Sequence, residues 1–315
     1  MVNWQHTLNK TVSFAGVGLH SGKSVKMRVK PAKENSGISF FRTDKKVVVP
    51  ALFYQVADTR LATTIAAGEV KIGTTEHLLA ALYGMGIDNA VIEIDSDEVP
   101  IMDGSAGVFV HMFKKVKRKK QQSRRVVARV KKDIVYQNGD SELKLSPGED
   151  LKISCSIDFN HNLIQKQSFS LEISPESFAR DIAKARTFGF LHEIDHLRKN
   201  GRALGGSLEN AIVIDKSGRL VNEEGLRFSD EFVRHKMLDL IGDIALFGFP
   251  IQGYLTSRKT GHKQHFQFLK TIAANPDCWE LVEMKDRTIR TEHWKDPQII
   301  VPSWTVARAT SACPL

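Results

Sequence analysis

Residues 114–132 carry eleven lysines and arginines and not one acid. The run splits the chain into two stretches that each need a core of their own. A domain of about 150 residues is an ordinary size, and 315 residues suffice for two without metal or disulfide staples. The run also accounts for the net charge of +9; outside it, 34 basic residues face 36 acidic ones, so the remainder is nearly balanced. Such a block binds polyanions or anionic membrane surfaces, or serves as a solvated connector. Its place between two halves favours the connector. The expected division is a first domain over 1–120, a basic linker over 121–132, a second domain over 133–300 and a tail over 301–315.

Both halves mix two hydrophobic periods. Val25, Met27 and Val29 alternate with polar neighbours, the pattern of a half-buried strand, and 38–41 and 90–94 are rich in β-formers. Between them, 75–83 reads as a helix with Leu78, Leu79 and Leu82 on one side, ended by Gly84 and Gly86. In the second half, strands are expected at 151–159, 211–214 and 251–256, and helices at 175–185, 190–199, 230–246 and 262–273. Strands and helices without regular βαβ alternation predict α+β layers in each half. His77 has Gly84 seven residues on, and His235 has Gly242 seven on. A duplicated unit would leave this echo, and so would chance.

The longest apolar stretch, 244–251, is far short of the ~20 residues that cross a bilayer. The opening MVNWQHTLNK lacks the basic-then-apolar order of a secretory signal. Cys155, Cys278 and Cys313 are too far apart for a CxxC site or a disulfide framework. A reducing compartment, the cytosol, is expected.

At about 100° per residue, His235, Asp239, Gly242 and Asp243 share one side of their helix, opposite the stripe of Met237, Leu240, Ile241 and Ile244. His235 and Asp239, at i and i+4, can converge on one ion, and imidazole with carboxylate suits Zn²⁺. The same residues also read as an ordinary polar face. In Thr75-Glu76-His77 the histidine can ligate while Glu76 takes a proton from water. Alternatively, Thr74 or Thr75 caps the helix and Glu76 favours its positive end. His192-Glu193-Ile194-Asp195-His196 is a literal HExxH, the zinc-peptidase signature. Its apolar stripe is Phe190, Leu191, Ile194 and Leu197, which turns both histidines away from the core side, whereas a peptidase directs them into a shaped cleft. Thr260-Gly261-His262 follows a strand, where functional groups often sit. Gly205-Gly206-Ser207 permits close backbone approach. No GxSxG, Walker A or GxGxxG occurs.

Taken together, GVGLHSGK (16–23), TTEHLLAALYGMGIDNAVIEID (74–95), PIMDGSAGVFV (100–110), SIDFNH (156–161), ARTFGF (185–190), LGGSLENAIVID (204–215), LVNEEGLRFSDEFVRHKMLDLIGD (220–243) and SRKTGH (257–262) closely resemble the UDP-3-O-acyl-N-acetylglucosamine deacetylase family, the zinc amidases of lipid A biosynthesis. The matches run in family order over nearly the whole chain; 285–298 matches poorly. The resemblance implies an α+β fold of two similar two-layer α/β sandwich domains with the active site between them. It implies His77, His235 and Asp239 as ligands of one Zn²⁺ with a fourth position open to water, although Fe²⁺ fits the same donors. Glu76 would be the general base, His262 the acid or a cation oriented by Asp243, and Thr187 and Lys236 the oxyanion donors.

An insert over 188–213 would form an apolar passage for the acyl chain, offering Phe188, Phe190, Leu191, Ile194, Leu197, Gly206 and Leu208. Phe159 would pack beside the nucleotide or sugar, and Lys144, Lys236 and Lys259 are the candidate cations for the diphosphate. HEIDH would lie on the insert's helix, facing solvent and without metal. The expected partner is a UDP-linked acylated glucosamine, hydrolysed to free amine and acetate at the committed step of lipid A biosynthesis. No nucleic acid is expected; the basic run leaves room for weak contact with the inner membrane. The alternative is a zinc metallopeptidase built on HEIDH.

Overall fold

In the computed structural model, which describes residues 3–284, the two hydrophobic periods become two sheets, each backed by helices. The first sheet runs in the order Val12–Val17, Ser24–Pro31, Ala90–Ile94, Ile38–Arg42, Val47–Pro50. The alternation at Val25, Met27 and Val29 buries all three on its helix-covered face. The second sheet runs Ile134–Asn138, Ser141–Ser146, Tyr254–Arg258, Lys152–Asp158, Lys166–Glu172.

The two sheets have one topology. In each, the only parallel pair among the described residues joins the central strand to the sheet's third strand in chain order, Ile38–Arg42 with Ala90–Ile94 and Lys152–Asp158 with Tyr254–Arg258. In each, the central strand lies between two helices in the chain: α1 (Glu76–Gly84) and α2 (Gly107–Val116) in the first half, and α5 (Glu231–Ala245) and α6 (His262–Ala274) in the second. The echo between His77–Gly84 and His235–Gly242 thus belongs to a structural duplication. The helix layers face each other, α1 packing along α5. That explains why α5 is buried on its polar side as well as on its apolar stripe.

Between these units, α3 (Pro175–Asp181) ends earlier than expected, four residues short of 185. The insert is a β–α–β unit: Phe188–Phe190, α4 (Leu191–Lys199), and Ile212–Ile214 returning parallel to the first strand. The strand expected at 251–256 divides at Gly253. Ile251–Gln252 pairs with a neighbouring three-stranded sheet, and Tyr254–Arg258 joins the five-stranded one. Gly253 sits where a Cβ would come within 2.8 Å of the Ser146 carbonyl, so only glycine lets the chain change sheets there.

The basic run is not a solvated connector. Arg118–Arg124 is a strand paired with Trp4–Leu8, and Val126–Val130 is the central strand of the three-stranded sheet. Lys120 and Arg124 lie over the Trp4 ring at 4.3 and 3.9 Å. Cations with long aliphatic stems cover apolar surface while their heads stay wet, and they suit an edge strand. The 285–298 segment and the 301–315 tail lie outside the described residues.

Candidate metal centre and active site

His77 is the second residue of α1, and His235 and Asp239 lie one turn apart on α5. The helices can bring them together because Gly242 of α5 has no side chain: a Cβ there would lie 2.0 Å from the Glu76 carbonyl oxygen. His77 Nε2 and His235 Nε2 stand 3.7 and 3.2 Å from Asp239 Oδ1. One ligand atom from each residue falls within 4.8 Å of the others. All three side chains are buried.

These residues fit a divalent ion. His235 Nδ1 donates to the Ala185 carbonyl at 3.1 Å, so Nε2 bears a lone pair and points it at Asp239 Oδ1. That oxygen is buried without a hydrogen bond, as is His77 Nδ1. Buried polar atoms normally find partners, and two electron-rich atoms facing each other in a buried site call for a cation between them. Burial pushes His235 down to about 4, which keeps it neutral. Burial opposes ionisation of Asp239, but His235 and the Lys236 ammonium, which donates to Oδ2 at 2.7 Å, hold its carboxyl well below the usual range. A neutral imidazole and an ionised carboxylate are the forms that ligate metal.

Glu76, beside His77, does not cap α1, and neither does Thr75, whose hydroxyl donates to the Thr63 carbonyl. The Glu76 carboxylate accepts from the Thr63 N–H at 3.0 Å, and its other oxygen lies 3.8 Å from His262 Nε2. Burial raises its pKa, and the positive field of His262 draws it partly back. His262 Nδ1 donates to Asp243 Oδ2 at 2.7 Å. Burial disfavours the His262 charge, but Asp243 and Glu76 prevail and raise its pKa to about 9.

Two members of this network were not foreseen from sequence. His265 Nδ1 donates to the same Asp243 oxygen at 2.7 Å, and the Thr63 hydroxyl donates to the other at 2.5 Å. His262 and His265 are three apart on α6, a spacing that places them on one helix face. Asp243, His262 and His265 are also close enough to hold an ion. Here, however, both ring nitrogens give their protons to one carboxylate oxygen, so the cluster is a hydrogen-bonded hub.

A cleft of about 530 Å³ opens onto both groups. Glu76, His77, Thr187, His235, Lys236, Asp239 and His262 line it together with Phe159, Phe188 and Phe190. The family description of UDP-3-O-acyl N-acetylglycosamine deacetylases (LpxC) matches residues 5–274. A UDP-3-O-acyl-N-acetylglucosamine deacetylase of Myxococcus xanthus is 47% identical over 287 residues, covering 90% of this chain and 91% of the relative. Those of Pseudomonas entomophila and Oleidesulfovibrio alaskensis are 44% and 46% identical, over 90% and 92% of this chain and 94% and 95% of theirs. The chain belongs to this deacetylase family.

In this family member the other expected residues fall in three places. Phe159, Phe188 and Phe190 form one wall of the cleft, with Phe188 5.8 Å from Phe159 and 6.3 Å from the His235 ring. Lys236 is bonded to Asp239 of the triad and Thr187 lines the cleft, its hydroxyl making no hydrogen bond among the described residues. Lys144 and Lys259 are not in the lining; Lys144 pairs with Asp133 at 2.7 Å and Lys259 with Asp158 at 2.9 Å. Leu191 and Leu208 are exposed, Ile194 and Leu197 half-buried, and none of the four lines the cleft. Gly205 and Gly206 hold the insert against the 18–22 loop; a Cβ on Gly205 would sit 2.2 Å from the Gly18 carbonyl. His192 and His196 are exposed on α4 and belong to no metal-ligand group among the described residues. Nothing supports the peptidase reading.

Proposed function

We propose that this chain hydrolyses the N-acetyl amide of UDP-3-O-acyl-N-acetylglucosamine, releasing acetate and the free amine in lipid A biosynthesis, and that the reaction depends on one Zn²⁺. The reading is carried by the meeting of the lone-pair triad His77–His235–Asp239 with the Glu76–His262 pair across one cleft. A zinc ion held by that triad would polarise the amide carbonyl and make water acidic enough to act as a nucleophile near neutral pH.

The protein's own groups do the rest. Glu76, held by the Thr63 N–H, takes a proton from the attacking water. Lys236 and Thr187 face the negative charge that grows on the carbonyl oxygen, each well-placed donor contributing roughly 3 kcal/mol. His262, cationic at neutral pH, gives its Nε2 proton to the departing nitrogen, which an amide needs because an amide anion is a poor leaving group. Asp243, with Thr63 and His265 bonded to it, keeps the ring oriented and charged.

The aromatic wall receives the sugar and the start of the acyl chain. Leu191, Ile194, Leu197 and Leu208 offer apolar surface on the insert for the rest of the chain to cover. Lys144 stands on Ser141–Ser146 and Lys259 just past the end of the neighbouring strand Tyr254–Arg258, beside Thr260 at the cleft, and both reach the diphosphate by exchanging their aspartate partners. Among the described residues no helix is long and apolar enough to cross a membrane. We place the enzyme in the cytosol, with the exposed lysines of 114–120 giving weak contact with the anionic face of the inner membrane. The decisive assay is acetate release from the acylated UDP-sugar by metal-loaded protein. Turnover lost in Glu76→Gln with metal retained supports the reading, and unchanged turnover rejects it.

A further inference from the structure

Glu231 opens α5 and is fully buried, and its partner Arg186 has a side chain only 2% exposed. Glu231 Oε1 accepts from both the Arg186 main-chain N–H at 2.9 Å and Arg186 Nε at 3.0 Å, while Oε2 accepts from the Arg227 N–H. Arg186 also donates to Glu224 and to the Gly225 carbonyl.

The residues on either side of Arg186 both face the site. The Ala185 carbonyl accepts from His235 Nδ1, and Thr187 lines the cleft while its N–H is tied to Gly104. Glu231 and His235 are one helical turn apart. Together with residues 185–186 they close a ring of contacts: the carboxylate grips the Arg186 backbone, and the imidazole grips the carbonyl before it.

We propose that Arg186 and Glu231 are positioning residues for the metal centre, fixing the Ala185 carbonyl so that His235 is held in its Nδ1–H tautomer with Nε2 turned to the ion. This rests on the triad being the metal site. A ligating histidine whose other nitrogen loses its partner loses orientation and basicity, which typically lowers metal affinity 10- to 100-fold. Removing the carboxylate charge also leaves a buried guanidinium underpaired, so loss of stability accompanies the change and must be separated from it.

The test begins with the metal-free wild-type protein, whose His235 ring nitrogens are assigned by ¹⁵N NMR. Protonated Nδ1 is expected, and protonated Nε2 overturns the proposal. Zn²⁺ affinity is then measured by competition with a chromogenic chelator for Glu231→Gln and the milder Arg186→Lys. Affinity should fall about 10-fold or more, with part of the His235 signal moving to the other tautomer. Ile272→Val, a core change away from the site, should lower the melting temperature without altering affinity. Unchanged affinity and tautomer in either folded variant overturn the proposal. A wild-type triad that binds no zinc overturns instead the functional reading beneath it.

Discussion

Gly242 lets α5 press on the first turn of α1 so closely that its missing methyl would overlap the carbonyl of Glu76. The proposed general base and one proposed histidine ligand ride on α1, the other two proposed ligands on α5. The separation of these helices therefore sets whether three ligands can share one ion. Gly242→Ala should cost about 1–3 kcal/mol through overpacking and also weaken zinc binding, because relief of the clash moves His77 away from Asp239. Thermal unfolding and zinc titration read the two effects; retained affinity in a destabilised protein would show that α1 and α5 do not meter the site.

Glu76→Gln keeps the shape of the side chain and removes its basicity. Zinc content should remain at the wild-type level while kcat falls about 10²-fold or more. Elemental analysis and steady-state kinetics on the same preparation check both halves.

The pH profile has a sign that follows from the Glu76–His262 pair. In the proposed mechanism activity needs Glu76 ionised and His262 protonated. The His262 cation lowers the raised pKa of Glu76, so in His262→Gln the residual activity should lose its acid limb at a higher pH than in the wild type.

The raised pKa of His262 also links to stability. Its ionised partner stabilises the cation, so the contribution is complete below about 6.5 and disappears as pH rises to about 9. Wild type should exceed His262→Gln in stability most at pH 6 and least above pH 9, by urea unfolding. In the metal-free protein, NMR titration of His262 should give about 9, moving down in Asp243→Asn. An unchanged value there would remove Asp243 from this role.

Acyl recognition by the aromatic wall predicts a length dependence. Each methylene buried contributes about 0.8 kcal/mol, so KM should rise stepwise as the acyl chain is shortened. Phe190→Ala should flatten that dependence. A KM independent of length would place the acyl chain elsewhere.

The parts legible in the sequence were those set by local periodicity. Val25, Met27 and Val29 announce their strand, and the α5 wheel separates His235 and Asp239 from its apolar stripe. The same wheel turned His192 and His196 outward, where the structure has them. The ligand set and the pairing of His262 with Asp243 came from family resemblance, because nothing local brings α1 to α5. The residues themselves left the duplication undecided, since it resides in strand order and only two matched residues mark it; the family resemblance implied it. The basic run was misread because charge obscured its strands: Arg118–Arg124 is a two-stranded edge whose lysines stay wet, and only the VVARV at its end shows apolar strand character. Thr63 was missed because it joins the hub across 180 residues of chain, which leaves no spacing signature; His265 did carry one, its i+3 spacing from His262.

The central claim is that the buried triad, and not the exposed HExxH of α4, holds the metal. The direct measurement is zinc per chain by elemental analysis after dialysis, for wild type, His77→Ala/His235→Ala and His192→Ala/His196→Ala. The account predicts one equivalent in the wild type and in the α4 double variant, and none in the first. Zinc retained without His77 and His235, or lost with His192 and His196, would contradict it.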